Sequence, residues 1–376
     1  MNDARGRSNG PSVSAPGAGM RALALGMPDT VRTNDYWRKK YPEMVAKAES
    51  TSLARLWAKD RHAGGDGLLF DQEMEPFLAD PFRGTVERRV LDTGETGLTL
   101  QLRGSKAAMK AAGIGPDEID LLISCAFFPN LVDVGNAAAL VHELGLRCGG
   151  WNLESACSSS VVAYETAAAL VATGRYRNIL VAVACTYSSV AADDDALSWW
   201  LGDGGGAFIV APTPPGTGFI AGATRHTAET CGAFYQELVE GPAGPRLCMR
   251  ANKSAGGVLR ETAGEYVRSC CAQAAKNANV DLKDIDFFVF NTPTAWYASF
   301  CAKVLGVDPE RTLSKYSLYG NIGPALMPTN LYHAYAEGRV KPGQLVMMYS
   351  VGSSSTASAS VTRWGEMAIG PSPTHP

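Results

Sequence analysis

From Ser158 the chain carries Val161, Val162, Ala163, Ala167, Ala168, Ala169, Leu170 and Val171, interrupted only by Tyr164, Glu165 and Thr166. Apolar residues around almost the whole circumference predict a helix that is largely buried. Short apolar runs elsewhere read as strands: "LLISCAFF" from Leu121, "ILVAVACT" from Ile179, "FFVF" from Phe287 and "LVMMYSV" from Leu345. The second and fourth follow helices that end at the Gly-Arg turns of Gly174 and Gly338. Strands alternating with helices predict an α/β protein.

The pattern occurs twice. "DEIDLLISCAFF" is similar to "KDIDFFVFNTPT", with Asp120 and Asp286 separated by 166 positions, and "ATGRYRNILVAVACT" is similar to "AEGRVKPGQLVMMYSVG", with Gly174 and Gly338 separated by 164. Between these pairs each half opens a helix after a polar loop, "ESACSSSVVAYETAAAL" in one and "LYGNIGPALMPTNLYHAY" in the other. At the offset of 164, Cys157 falls opposite Asn321. Duplicated units pack most simply about a pseudo-twofold, which brings matching positions to the centre. Cys157 and Asn321 are therefore expected at equivalent helix starts that face one cavity.

Composition narrows the function. The chain has 376 residues, 46% apolar and 19% charged, enough for two core-bearing units. A formal net charge of -3 without a Lys/Arg cluster argues against nucleic acid as a partner. Nine cysteines lie scattered with no C-x-x-C, which argues for reduced thiols in a cytoplasmic setting, without disulfides or zinc. Residues 1–19, rich in Gly, Pro, Ser and Asn, read as a disordered tail and not a signal peptide, and residues 367–376 as a flexible tail. No apolar stretch reaches the length of a membrane span.

Any one cysteine is more often a small buried hydrophobe than a nucleophile. Cys157 differs because it stands at the foot of the buried helix, where unpaired N–H groups and the positive helix end favour a thiolate and leave donors for an oxyanion. Other candidates are weaker. His226 is a candidate alternative base reaching in from a neighbouring strand, against the plainer reading of an edge-strand histidine. His333, twelve residues beyond Asn321, reads as structural. Asp193 to Asp195 lack calcium-loop spacing and read as a solvated turn, and Trp199 and Trp200 as pocket wall or dimer contact.

Four segments, "ESACSSS", "GDGGGAFIVAP", "YGNIGPA" and "EGRVKPGQLVMMYSVGSSS", taken in this order, resemble the ketoacyl-synthase III branch of the thiolase-like superfamily, and the resemblance spans Met20 to Trp364. It implies a thiolase-like fold of five αβαβα layers, with one half over 20–212 and the other over 213–366, and a homodimer. Cys157 would take an acyl group from a coenzyme A or acyl-carrier-protein thioester, substrates and not resident cofactors. Asn321 would donate to a thioester carbonyl, and the backbone N–H groups of Cys157 and Ser353 would form the oxyanion hole. "GDGGGA" would be a turn beneath the site.

The family's catalytic histidine should follow "IDFFVF", where this sequence has Asn291, with Thr292 the alternative occupant of that space. Asparagine donates a hydrogen bond but carries no proton or positive charge. The expectation is thus an acyltransferase of secondary metabolism that passes an acyl group from Cys157 to a small-molecule hydroxyl, amine or carbanion, with Asn321 and Asn291 holding carbonyl groups. The rivals are a decarboxylative condensing enzyme and a non-catalytic partner subunit of a ketosynthase. The N-terminal segment up to Arg89 is longer and differently written than the family's, so its coenzyme A-gripping residues cannot be carried over.

Overall fold

The computed structural model describes residues 17–57, 65–241 and 244–373. Its centre is two sheets built alike. In the first, Leu121–Phe127 runs parallel to Ile179–Thr186, which is antiparallel to Asp203–Thr213, which is antiparallel to Gly17–Leu25. In the second, Phe287–Phe290 is parallel to Leu345–Val351, which is antiparallel to Thr356–Arg363, which is antiparallel to Gly218–His226. The same order and polarity in both halves is the duplication read from the sequence. The paired aspartates even do the same work. The Asp120 carboxylate accepts the N–H groups of Arg177 (2.6 Å) and Asn178 (3.0 Å), and that of Asp286 accepts the N–H of Leu345 (2.8 Å), each fixing the head of the next strand.

Helices fill three layers around the sheets. Gly97–Ala112 and Ala137–Glu143 cover the outer face of the first sheet, and Ala255–Asn277 and Tyr297–Leu305 that of the second. Ser159–Ala172 and Leu326–Ala336 lie between the sheets in the central core. That position explains the apolar circumference of Ser159–Ala172, since it has no single solvent face. Tyr164 on this helix is fully buried, and its hydroxyl meets the Thr362 Oγ1 of the other half at 3.0 Å. Each large side chain buried here contributes roughly 1.5–3 kcal/mol of burial free energy.

Three expectations are corrected. The strand Gly17–Leu25 begins inside the stretch read as a disordered tail, whose residues 1–16 lie outside the described part. The tail expected from residue 367 instead supplies the strand Ala368–Ile369, parallel to Ala22 and Leu23, because the first sheet has an open edge there. The 3-10 turns that open the central helices are Ala156–Ser158 and Gly323–Ala325, so the positional counterpart of Cys157 is Pro324, and Asn321 stands just before its turn. The long N-terminal segment forms the helices Asn34–Lys40, Pro42–Trp57 and Asp66–Met74. The last packs on the outer helices of the second half through Asp66–Arg268 (2.7 Å) and Asp71–Arg260 (2.6 Å) ion pairs.

Candidate active site

The serines around the cysteine build a turn. Ser158 Oγ donates to the Ser155 carbonyl and Ser159 Oγ to that of Ala156, both at 2.7 Å, while the Glu154 carboxylate accepts the Ala156 N–H at 2.5 Å. Ala156 has a φ of 49°, a left-handed conformation that a side chain disfavours. The small methyl group and the surrounding hydroxyls hold it there, and the turn presents Cys157 at the start of the central helix. The other half clasps the turn from behind. Ser155 Oγ reaches Ser355 Oγ at 3.2 Å and Thr356 Oγ1, and Gly352 lies so close that a Cβ on it would overlap the Ser155 carbonyl oxygen. Gly352→Ala is therefore expected to push the cysteine turn aside. A melting curve should show a loss of about 2 kcal/mol, the usual scale of overpacking, alongside a changed alkylation rate at Cys157.

Asn291, expected to hold a substrate carbonyl, is employed elsewhere. It is 1% exposed, and its Nδ2 donates to the carbonyl oxygens of Cys157 (3.0 Å) and Gly323 (3.1 Å) and contacts Ser350 Oγ (3.0 Å). One amide thus ties the starts of both central helices together. Thr292 is also buried, its hydroxyl accepting from Asn330 Nδ2 at 3.0 Å. Neither lines the cavity, whose wall at this strand end is made by Pro293 and Thr294.

That cavity, of about 800 Å³, brings together Cys157, Asn321 and Ser353. Its walls are mostly apolar, with Phe70 and Met74 from the N-terminal insertion, Trp200, Phe234, Met249 and Trp296 among them. Asn321 Oδ1 accepts the Gly323 N–H at 2.8 Å, and since a backbone N–H can only donate, Nδ2 is the amide atom left to donate to a ligand. Its main chain is anchored by Asn321 N–H to the Trp200 carbonyl (2.7 Å) and by Gly202 N–H to its own carbonyl (3.0 Å). "GDGGGA", expected as a turn, is mostly the beginning of the strand Asp203–Thr213, with only Gly202 outside it.

Burial pushes the Cys157 thiol up to about 11, against the Tyr187 hydroxyl, which favours the anion. The residue keeps some exposure, all the same. The helix start does not leave a thiolate at rest, as the sequence led one to expect, because the surroundings are too poor in water.

The other candidates fall away from the cavity. The His226 side chain is 71% exposed at the end of its strand and lies 3.8 Å from Glu229, so it is no substitute base. His333 bonds to the Tyr319 hydroxyl at 3.0 Å. Asp193 is no solvated turn. It takes Arg32 and Lys40 at 3.0 Å and the Tyr36 hydroxyl at 2.6 Å, holding the first helix against this loop. Trp199 is core, packed on Phe82, and Trp200 is pocket wall. Among the described residues no three His, Cys, Asp or Glu side chains gather as a metal site. Sequence reasoning missed Tyr187 and the helix Asp66–Met74, for which no motif signalled proximity to Cys157.

Residues 151–227 match the family described as 3-oxoacyl-[acyl-carrier-protein (ACP)] synthase III, and residues 275–364 match its C-terminal part. The chain is a ketoacyl-synthase III-like protein of thiolase fold. A beta-ketoacyl-[acyl-carrier-protein] synthase III of Chelativorans is 28% identical over 287 residues, 75% of this chain and 88% of the relative, and one of Desulfitobacterium hafniense is 26% identical over 298 residues, 76% and 89%. The crystal structure of the 3-oxoacyl-[acyl-carrier-protein] synthase III of Aquifex aeolicus superposes with a TM-score of 0.75 at 21% identity, covering 93% of this chain and 100% of that one. A single-residue variant of Xanthomonas campestris OleA shares the fold at a TM-score of 0.70 and 20% identity, over 93% and 99%. Among the described residues no histidine lines the cavity of this synthase III-like chain.

Proposed function

We propose that this protein is an acyltransferase that forms a thioester on Cys157 from an acyl-carrier-protein or coenzyme A thioester and passes the acyl group to a nucleophilic small molecule. The observation that carries this reading is the convergence of Cys157, Asn321 and Ser353 on one apolar cavity that no described histidine lines. Asn321 Nδ2 supplies a neutral donor to a carbonyl, and the N–H groups of Cys157 and Ser353 supply oxyanion donors. No described histidine stands there against an enolate, and the two guanidiniums of the wall are engaged elsewhere, Arg83 by the carbonyls of Phe77 and Leu78 and Arg260 by Asp71, so an acceptor that is already nucleophilic suits the site better than a malonyl thioester awaiting decarboxylation. The carrier-protein donor is supported by the names of the similar synthases.

The volume argues for a large apolar acyl group, which fits a specialised role in secondary metabolism. Burying one methylene is worth about 0.8 kcal/mol, close to fourfold in affinity. Across acetyl, butyryl, octanoyl, lauroyl and benzoyl thioesters, the rate of adduct formation followed by intact-protein mass spectrometry is expected to rise about fourfold per methylene until the cavity is filled. The octanoyl adduct should then persist when malonyl thioester is added. Its loss with release of carbon dioxide would make the protein a condensing enzyme, and the absence of any adduct would make it a silent partner subunit.

A further inference from the structure

With Asn291 turned to the backbone, one polar side chain among the described residues touches the Cys157 sulfur. The Tyr187 hydroxyl lies 4.0 Å from Sγ, the outer limit for a hydrogen bond to sulfur, and has no other partner among the described residues. Catalytic contacts of this kind are often long before substrate arrives and shorten in the complex. Both residues line the cavity.

The hydroxyl is held in place from two sides. The ring packs against Phe127 and Phe128, with centroids 5.7 and 5.6 Å away. The turn Tyr187–Ser189 is pinned by Asp203, which is fully buried and whose carboxylate accepts the Ser188 N–H at 2.9 Å and the Ser188 hydroxyl at 2.5 Å. A buried phenol with no other partner is costly unless it donates to something, and the atom in front of it is the sulfur.

We propose that Tyr187 is a catalytic residue of this chain, its hydroxyl donating a hydrogen bond to the Cys157 sulfur as the acyl group moves on and off it. The proposal rests on Cys157 as the nucleophile. Burial holds the phenol well above its ordinary range, so Tyr187 keeps its proton near neutrality and acts as donor, not base. The other titratable groups acting on the sulfur oppose its charge. The Glu154 carboxylate disfavours a thiolate, and Cys185 is buried and neutral. In the step itself the bond from Sγ to the carbonyl carbon forms as the donor's carbon–sulfur bond breaks. The thiol proton leaves with the released donor thiol, and the tyrosine's proton stays on its oxygen.

The test needs no knowledge of the substrate. Full-length protein is alkylated with iodoacetamide between pH 7 and 11, and modification of the Cys157 peptide is followed by mass spectrometry, which separates it from the other eight cysteines. Tyr187→Phe keeps the ring packing and removes the donor. Its alkylation rate at pH 8 is expected to fall about tenfold or more, with the apparent thiol pKa moved upward, because a hydrogen bond to a charged atom is of that strength. Superimposable pH–rate profiles would overturn the proposal. If Tyr187→Phe does not fold, 3-fluorotyrosine placed at position 187, a stronger donor of nearly the same shape, is expected to accelerate alkylation, and an unchanged rate would overturn it equally. Failure of every acyl thioester to label the wild type would count against the proposed function alone, since iodoacetamide reads the sulfur directly.

Discussion

Cys157→Ala leaves the protein mass unchanged after incubation with an acyl thioester that labels the wild type, and lowers transfer by on the order of 10⁴-fold or more. That is the scale seen when a covalent nucleophile is removed from a site whose oxyanion donors remain. The substitution empties little volume and leaves the hydrogen bonds from the Asn291 and Ser350 side chains to the residue 157 carbonyl in place, so the fold should survive it. The same sulfur sets a pH dependence. Only the thiolate attacks, and the thiol is pushed up to about 11. Raising the pH from 7 toward 10 therefore increases the reactive fraction about tenfold per unit, and single-turnover acylation measured by rapid quench should climb accordingly. A plateau near pH 8 would show that the bound thioester or a partner subunit changes the surroundings of the sulfur.

Asn291→Ala is expected to cost stability before it costs chemistry. It gives up the amide's hydrogen bonds to the Cys157 and Gly323 carbonyls and its contact with Ser350 Oγ, each worth about 0.5–1.5 kcal/mol, while the two carbonyls keep the Ser350 hydroxyl and the Leu326 N–H as partners. A loss of about 3 kcal/mol corresponds to roughly 4 °C in melting temperature for a chain of this size, readable by calorimetry. Asn291→His should destabilise similarly and should not create decarboxylation of malonyl thioester. The ring nitrogens of histidine point in different directions, so one imidazole cannot serve both carbonyls as a single NH₂ does, and the position does not line the cavity. A stable Asn291→His protein that releases carbon dioxide would refute this structural role for Asn291.

The two effects are separable, because Cys157 presents its side chain to the cavity and Asn291 holds the Cys157 main chain from the far side. A variant at 157 should keep its melting temperature and lose chemistry. One at 291 should lose both in proportion, with part of the activity recovered on cooling.

The sequence by itself determined the repeat and the buried central helix, and it singled out Cys157 at that helix's start. Those signals are legible in short stretches: strands and helices announce themselves by the spacing of apolar residues, and a cysteine at a helix start is visible in a dozen residues. Only the tertiary structure decided what Asn291 does. Whether an asparagine faces a cavity or a carbonyl depends on which atoms of Cys157, Gly323 and Ser350 arrive beside it, and these residues lie 134, 32 and 59 positions away. Tyr187 was hidden for the same reason. Nothing in "CTYSS" tells its hydroxyl from any other, and its place beside the sulfur follows from Asp203 and two phenylalanines that meet it only once the first sheet is formed.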